Sequence, residues 1–283
     1  PGEAYSVREL LTGMMLASGN DAACALSCSL YGDELSFAVR MNEKAKLLGM
    51  DNSSFRNPHG LDDPEHYSTA RDMAVLTAYC MENECFKSIV SMNSAVIKDV
   101  EYYNHNRLLR EYDGCVGVKT GYTMAAGRTL VSCAERNGMR LICVTLNAPD
   151  DWNDHKYLLD KAFSEYRIAS YTPDIFKVTL DVASSVFKTA DAVPENDIRL
   201  LIKTDDEVEV RVDAPRILFA GGIAGEKVGQ LSVFVNGSLA ARENLVYTED
   251  VPQDKAQRLA PAERLKRILD TVIGPYYVIG ENK

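Results

Sequence analysis

The sequence predicts an α+β protein in which a mostly helical opening gives way to an antiparallel sheet, followed by a smaller all-β domain. Apolar residues recur three and four positions apart through the first part of the chain, the spacing of a helix face. From about Ser94 the period changes to two, the spacing of a strand. Asn137-Gly138 and Asn236-Gly237 each separate two such runs, which is the signal of a tight hairpin. These changes of texture place the first domain at residues 1–170, an all-β domain at 171–257 and a helix with its tail at 258–283.

Each element has a local reason. Ser6-Val7-Arg8-Glu9 is a capping box, and Val7, Leu10, Leu11, Met14 and Met15 follow at helical spacing to about Ala17. Ser18-Gly19-Asn20-Asp21 interrupts the stripe with turn and cap residues, and Ala22, Ala25, Leu26 and Leu30 resume it, so Ser18 to Asn20 is expected in an interhelical turn. Asp33 caps a third helix that Gly49 closes; Thr69 caps a fourth carrying Met73, Leu76 and Cys80. Strands are expected at Val96–Val100, at Val116–Gly121 and on both sides of Asn137-Gly138. A helix through Tyr157, Leu158, Leu159, Ala162 and Phe163 ends near Ala169. Three strands beyond Pro173, at Phe176–Val182, Val208–Val212 and Leu231–Val235, alternate apolar and polar residues. Ala262 to Ile273 gathers Leu265, Ile268, Leu269, Val272 and Ile273 on one face with Arg264, Lys266 and Arg267 around it. That pattern suits a helix docked on its own domain or one lying on a membrane surface.

Composition removes several function classes. With 46% apolar and 25% charged residues the chain can bury a core, and its formal charge of −10 gives no footprint for nucleic acid phosphates. No apolar run approaches the roughly 18 residues a spanning helix requires. The seven cysteines read mainly as small buried apolar residues, and the four histidines lack ligand spacing, so no metal and no cofactor is expected. If the loop at Asn137-Gly138 has two residues, Cys133 pairs with Ile142 and Cys143 with Ser132, on opposite faces of the sheet where the thiols cannot bridge, whereas a loop one residue longer pairs the two cysteines directly.

Chemistry concentrates in two short strings. Ser18-Gly19-Asn20 in an interhelical turn and, far downstream, Lys119-Thr120-Gly121 on a strand are two of the three signature elements of penicillin-recognising serine enzymes. Three further blocks extend the match: Asn57-Pro58-His59-Gly60-Leu61-Asp62, Ser68-Thr69-Ala70-Arg71-Asp72-Met73-Ala74 and Asn104-His105-Asn106-Arg107-Leu108-Leu109. With Gly117 to Thr123, the five blocks resemble, in order, the low-molecular-mass penicillin-binding proteins, which are serine-type D-alanyl-D-alanine carboxypeptidases. The β-rich segment and the final amphipathic helix resemble that family's second domain and membrane-surface anchor.

The resemblance implies a DD-peptidase/β-lactamase-like domain acting outside the cytoplasmic membrane, at the cell envelope, on peptidoglycan stem peptides ending in D-Ala-D-Ala. β-Lactams are the other expected partners. It also implies roles. Ser18 relays a proton toward the departing amine, Asn20 holds the substrate backbone, and Lys119 supplies positive charge near the substrate carboxylate. Thr120 donates to that carboxylate, Gly121 leaves room along the strand edge, and the Tyr122 backbone N–H is half of an oxyanion hole. His59 is expected to order its loop, and Arg71 and Asp72 to serve the start of their helix.

The family's nucleophile is the serine of a Ser-x-x-Lys motif lying upstream of the Ser-Gly-Asn turn. The 283 residues hold one such string, Ser185-Val186-Phe187-Lys188, in the β domain, where a strand sets the two side chains on opposite faces. The chain is therefore expected to be a fragment lacking the nucleophile and inactive alone. The alternatives are a homologue that binds wall peptide without chemistry and a β-lactamase.

Overall fold

The computed structural model describes residues 2–253 and the backbone of 277–280, in two compact units, residues 1–164 and 165–283. The capping box forms: Glu9 N donates to Ser6 Oγ at 3.2 Å, and Ser6 N to Glu9 Oε2 at 2.7 Å. It opens α1 (Val7–Ala17), which is followed by α2 (Asn20–Tyr31) and α3 (Glu34–Leu47). Asp33 caps α3 through Ser36 N at 2.7 Å. Thr69 starts α4 (Ala70–Met81) by accepting from Asp72 N at 3.1 Å, and Asn83 starts a short α5 (Glu84–Val90) that the sequence pattern does not announce.

A hairpin of β1 (Ser94–Ile97) and β2 (Val100–Tyr103) turns at Lys98-Asp99, both at positive φ. Past a one-turn α6 (Leu108–Glu111) comes the sheet that organises the unit: β3 (Cys115–Thr123), β4 (Gly127–Arg136) and β5 (Met139–Leu146), antiparallel and ordered β3-β4-β5. The Asn137-Gly138 turn sets the expected register, Ser132 opposite Cys143 and Cys133 opposite Ile142, and all seven cysteines are free. Cys133 and Cys143 are buried, whereas Cys28 and Cys85 are exposed and the other three are partly covered, so the small-apolar reading holds for only part of the set.

Both faces of this sheet carry helices. On one, Val118, Val131 and Cys133 pack with Met81, Val90 and the side chains of Met15, Met73 and Phe86. On the other, Leu130, Ala134 and Cys143 pack with Leu108, Tyr112 and Leu159, the last on α7 (Asp151–Glu165). The strict alternation along β4 makes two covered faces from one strand. Burying a leucine as fully as Leu130 stabilises by roughly 1.5–3 kcal/mol. Asn104 and Asn106 are buried and structural: Asn104 Nδ2 donates to Val90 O and Met92 O, and Asn106 Oδ1 accepts from Leu108 N.

The final helix of the first unit stops at Glu165 rather than near Ala169, because Tyr166–Tyr171 extends as β6 and pairs with β9 (Ile198–Lys203). The second unit also contains β7 (Val178–Ala183), β8 (Thr189–Pro194), β10 (Val208–Asp213), β11 (Ile217–Phe219), β12 (Lys227–Val235), β13 (Ser238–Tyr247) and β14 (Tyr277–Gly280). Its larger sheet runs β11-β7-β8-β13-β12-β10-β14 over a core including Val210, Leu231, Val233 and Leu245. The Asn236-Gly237 hairpin forms as expected. Ser185 lies in the turn between β7 and β8, not within a strand; its hydroxyl donates to Pro252 O at 2.7 Å and accepts from Phe187 N at 3.1 Å. The amphipathic segment 262–273 falls outside the described residues. No helix among the described residues is long and apolar enough to cross a membrane.

Candidate active site

Ser18 ends α1 in the left-handed region, at φ 56° and ψ 42°, and Gly19 N closes the turn on Gly13 O at 3.3 Å. Gly19, without a side-chain cap, starts α2, so Asn20 is already its first helical residue. The Ser18 hydroxyl is thus left free of the capping duty its residue type suggests. It accepts a hydrogen bond from Lys119 Nζ, which also donates to Thr120 O at 2.9 Å.

That contact joins the two strings that are far apart in sequence. Lys119 is half-buried, and the cost of desolvating its ammonium holds its pKa down to about 8. A lysine held there is charged and uncharged in comparable amounts at mildly alkaline pH, so it is suited both to attract a carboxylate and to exchange a proton with a hydroxyl. Asn20 is exposed, and its side chain makes no hydrogen bond among the described residues.

β3 is the edge of its sheet, so its outer backbone groups face away from β4. Thr120 is half-buried, whereas Gly121 and Tyr122 are exposed on this strand, the Tyr122 side chain by 67%. Gly121 has a packing reason of its own: a Cβ there would collide with the Thr129 hydroxyl from β4. Beyond it, Thr123 Oγ1 donates to Asp62 Oδ1 at 2.8 Å, tying the end of β3 to the loop that begins at Asn57. Sequence reasoning singled out that loop but not this bond, since neither residue carries a pattern that names its partner.

His59 orders its loop, as expected. Its Nδ1 accepts from Leu61 N at 3.2 Å, while Asn57 Oδ1 accepts from Gly60 N at 2.7 Å. Asp72 is buried and accepts from Asn52 N at 2.9 Å and from Ser53 Oγ at 2.7 Å; these bonds hold its carboxyl below the usual range. Arg107 pairs with Glu111 at 2.8 Å and stacks over Trp152.

One group of potential ligand residues comes together in space although it has no ligand spacing in the sequence. Cys24, Glu34 and His59, dispersed in sequence, present ligand atoms within 4.8 Å of one another. The neighbouring Glu34 carboxylate, together with burial, pushes the Cys24 thiol up to about 11.

A sheet backed by helices on both faces, with a serine-bearing interhelical turn touching a Lys-Thr-Gly edge strand, defines the penicillin-binding serine hydrolases. Comparisons with known proteins agree. The sequence model described as D-alanyl-D-alanine carboxypeptidase matches residues 1–150. The chain is similar to D-alanyl-D-alanine carboxypeptidase DacF of Bacillus subtilis, at 31% identity over 277 residues, covering 89% of this chain and 68% of the relative. It is also similar to DacC of Escherichia coli, at 33% identity, covering 89% and 66%. Among solved structures, penicillin binding protein 5 from Haemophilus influenzae superposes with a TM-score of 0.62 at 30% identity, covering 88% of this chain and 75% of that one. The chain belongs to the D-alanyl-D-alanine carboxypeptidase family. It spans about two thirds of the length of these two curated relatives.

Proposed function

We propose that this chain carries the substrate-binding and proton-relay half of a serine D-alanyl-D-alanine carboxypeptidase site, and that the intact site removes the terminal D-alanine from peptidoglycan stem peptides. The observation that supports this most directly is the hydrogen bond from Lys119 to Ser18, which brings the two signature strings into contact. In this reading the stem peptide lies along the open edge of β3 as an added strand. Lys119 and Thr120 hold its terminal carboxylate, Asn20 holds its backbone, and the Tyr122 N–H supports the oxyanion as the carbonyl becomes tetrahedral. In the intact site an attacking serine adds to the carbonyl and gives up its proton, Ser18 passes a proton to the D-alanine amine as the C–N bond breaks, and water then hydrolyses the acyl-enzyme. The substrate is a wall peptide, so the site of action is extracytoplasmic. Association with the membrane surface rests on the amphipathic pattern of residues 262–273.

The attacking serine is a separate matter. The single Ser-x-x-Lys of these 283 residues is at Ser185, whose hydroxyl is already engaged in a turn of the β domain. The polypeptide by itself is therefore proposed to bind D-Ala-D-Ala peptides and penicillins reversibly, without acylation or turnover. That same observation favours, as the second reading, a homologue that binds wall peptide without chemistry.

Incubation of this chain with a fluorescent penicillin, and with a peptide ending in D-Ala-D-Ala, tests the proposal. The expected result is no covalent adduct and no released D-alanine, with reversible peptide binding that Lys119→Ala abolishes. Stable labelling of this chain would refute the inactivity, and unchanged binding by Lys119→Ala would refute the site. Hydrolysis of a chromogenic cephalosporin would mark it as a β-lactamase.

A further inference from the structure

We infer that Cys24, Glu34 and His59 form a binding site for a thiophilic divalent cation, and that zinc is the ion their donor set fits. The inference is independent of the catalytic reading, since none of the three belongs to the Ser18–Lys119 cleft.

The geometry comes from three elements. Cys24 projects from the second turn of α2, Glu34 is the first residue of α3, and His59 stands in the loop between Asn57 and Leu61. Their ligand atoms lie within 4.8 Å of one another. Bond lengths of about 2.0–2.3 Å to a tetrahedral zinc put ligand atoms roughly 3.3–3.8 Å apart, so small side-chain rotations close the site. All three residues are partly buried, and the His59 side chain is only 14% exposed.

The donor set selects the ion. One thiolate, one imidazole and one carboxylate suit zinc or cobalt, whereas magnesium and calcium take oxygen ligands throughout. Charge also balances: thiolate and carboxylate together neutralise a divalent cation. On binding, the Cys24 thiol loses its proton to solvent. His59 Nε2 already faces Glu34 Oε2 at 3.4 Å, and to ligate through it the neutral ring carries its proton on Nδ1 instead. The Leu61 N–H bond to Nδ1, long at 3.2 Å, is given up. A water completes the fourth position.

Part of the scaffold is in place without an ion, although the His59 ring must exchange its tautomer and its Leu61 bond to ligate. Asn57 Nδ2 donates to Leu61 O at 2.9 Å and Asn57 Oδ1 accepts from Gly60 N at 2.7 Å, holding the His59 loop from both sides. The Asp33 cap fixes the first turn of α3, and with it Glu34. The same loop continues to Asp62, the partner of Thr123, and α2 begins at Asn20. A bound ion would thus brace the helix and the loop that border the proposed cleft, as a structural support rather than a participant in chemistry.

The test is titration of this chain, reduced and stripped with a chelator, with cobalt(II) and then zinc. The expected result is one equivalent of cobalt with a near-ultraviolet thiolate charge-transfer band, displacement of that band by zinc, and a raised thermal midpoint with either ion. Cys24→Ser, Glu34→Gln and His59→Gln should each weaken binding at least about tenfold, with circular dichroism confirming that each variant folds. Cys85→Ser, at an exposed thiol on α5, should leave the band unchanged. Absence of a stoichiometric band, its persistence in Cys24→Ser or His59→Gln, or its loss in Cys85→Ser would overturn the assignment.

Discussion

The ammonium of Lys119 donates to the hydroxyl of Ser18, joining a strand edge to an interhelical turn 101 residues earlier in the chain. Each partner alone has an ordinary explanation, a solvated strand charge and a turn residue. Together they set a partly buried lysine, which burial lowers to about 8, against a serine hydroxyl, the pairing on which the proposed site rests.

The first prediction concerns pH. On the proposed role of Lys119 in holding a carboxylate by its charge, affinity for a D-Ala-D-Ala peptide should be steady below pH 7 and fall as pH rises through about 8, approaching tenfold per pH unit above it. The sign follows from the direction of the shift: burial makes the folded protein lose this proton earlier than an exposed lysine does. Calorimetric titration between pH 6 and pH 10 measures it, and affinity that stays level to pH 10 would contradict the role.

The second separates backbone from hydroxyl at Ser18. Its φ of 56° costs a non-glycine residue about 1 kcal/mol, which glycine relieves and alanine does not. Both substitutions remove the acceptor for Lys119. Ser18→Gly should therefore be more stable than Ser18→Ala by about 1 kcal/mol, while both lose the Lys119 contact equally. Denaturant unfolding of the two variants decides it, and an alanine variant at least as stable as the glycine one would show that the turn is not strained.

Much of this was legible in the sequence because its determinants are local. The Ser6–Glu9 box, the Thr69 and Asp33 caps and the two Asn-Gly turns each announce themselves within four residues, and the 137–138 turn even fixed the pairing of Cys133 and Cys143 correctly. The Ser18 and Lys119 strings were legible as motifs, although only folding brings them into contact. What escaped depends on partners distant in sequence. The Thr123–Asp62 bond and the Cys24–Glu34–His59 cluster have no spacing to read, because loops and helices of unrelated length bring them together. The boundary after α7 was placed too late because Tyr166–Tyr171 continues the apolar pattern, and only its pairing with β9 shows it to be a strand.

A third prediction follows from that Thr123–Asp62 bond. It is exposed, so Asp62→Ala should cost no more than about 1 kcal/mol of global stability. Its local effect should be larger, since the bond holds the tip of β3 where Thr123 Oγ1 also accepts from Ala126 N at 2.9 Å. Amide hydrogen exchange at Tyr122 to Gly127 should accelerate by about fivefold or more, with β4 and β5 unchanged. Exchange at the tip equal to that of the parent chain would show that the loop gives it no support.

The last concerns a histidine outside the cleft. His155 is fully buried, its Nδ1 2.6 Å from Ser132 Oγ and its Nε2 3.0 Å from Thr145 Oγ1, so both ring nitrogens are satisfied by neutral hydroxyls. Burial is the main cause of a pKa lowered to about 4, against 6.5 for a free side chain. The folded state therefore keeps this ring neutral where the unfolded chain takes up a proton. Between pH 6.5 and pH 4 the unfolded state binds more protons, and stability must fall as pH falls. The interval corresponds to a loss on the order of 3 kcal/mol from this one residue. His155→Gln retains hydrogen-bonding capacity without titrating, so it should be less stable than the parent at neutral pH through imperfect packing, yet lose less stability on acidification. Urea unfolding at pH 7 and pH 4.5 gives the comparison; if the variant loses as much between those two pH values as the parent does, the acid sensitivity of the fold originates elsewhere.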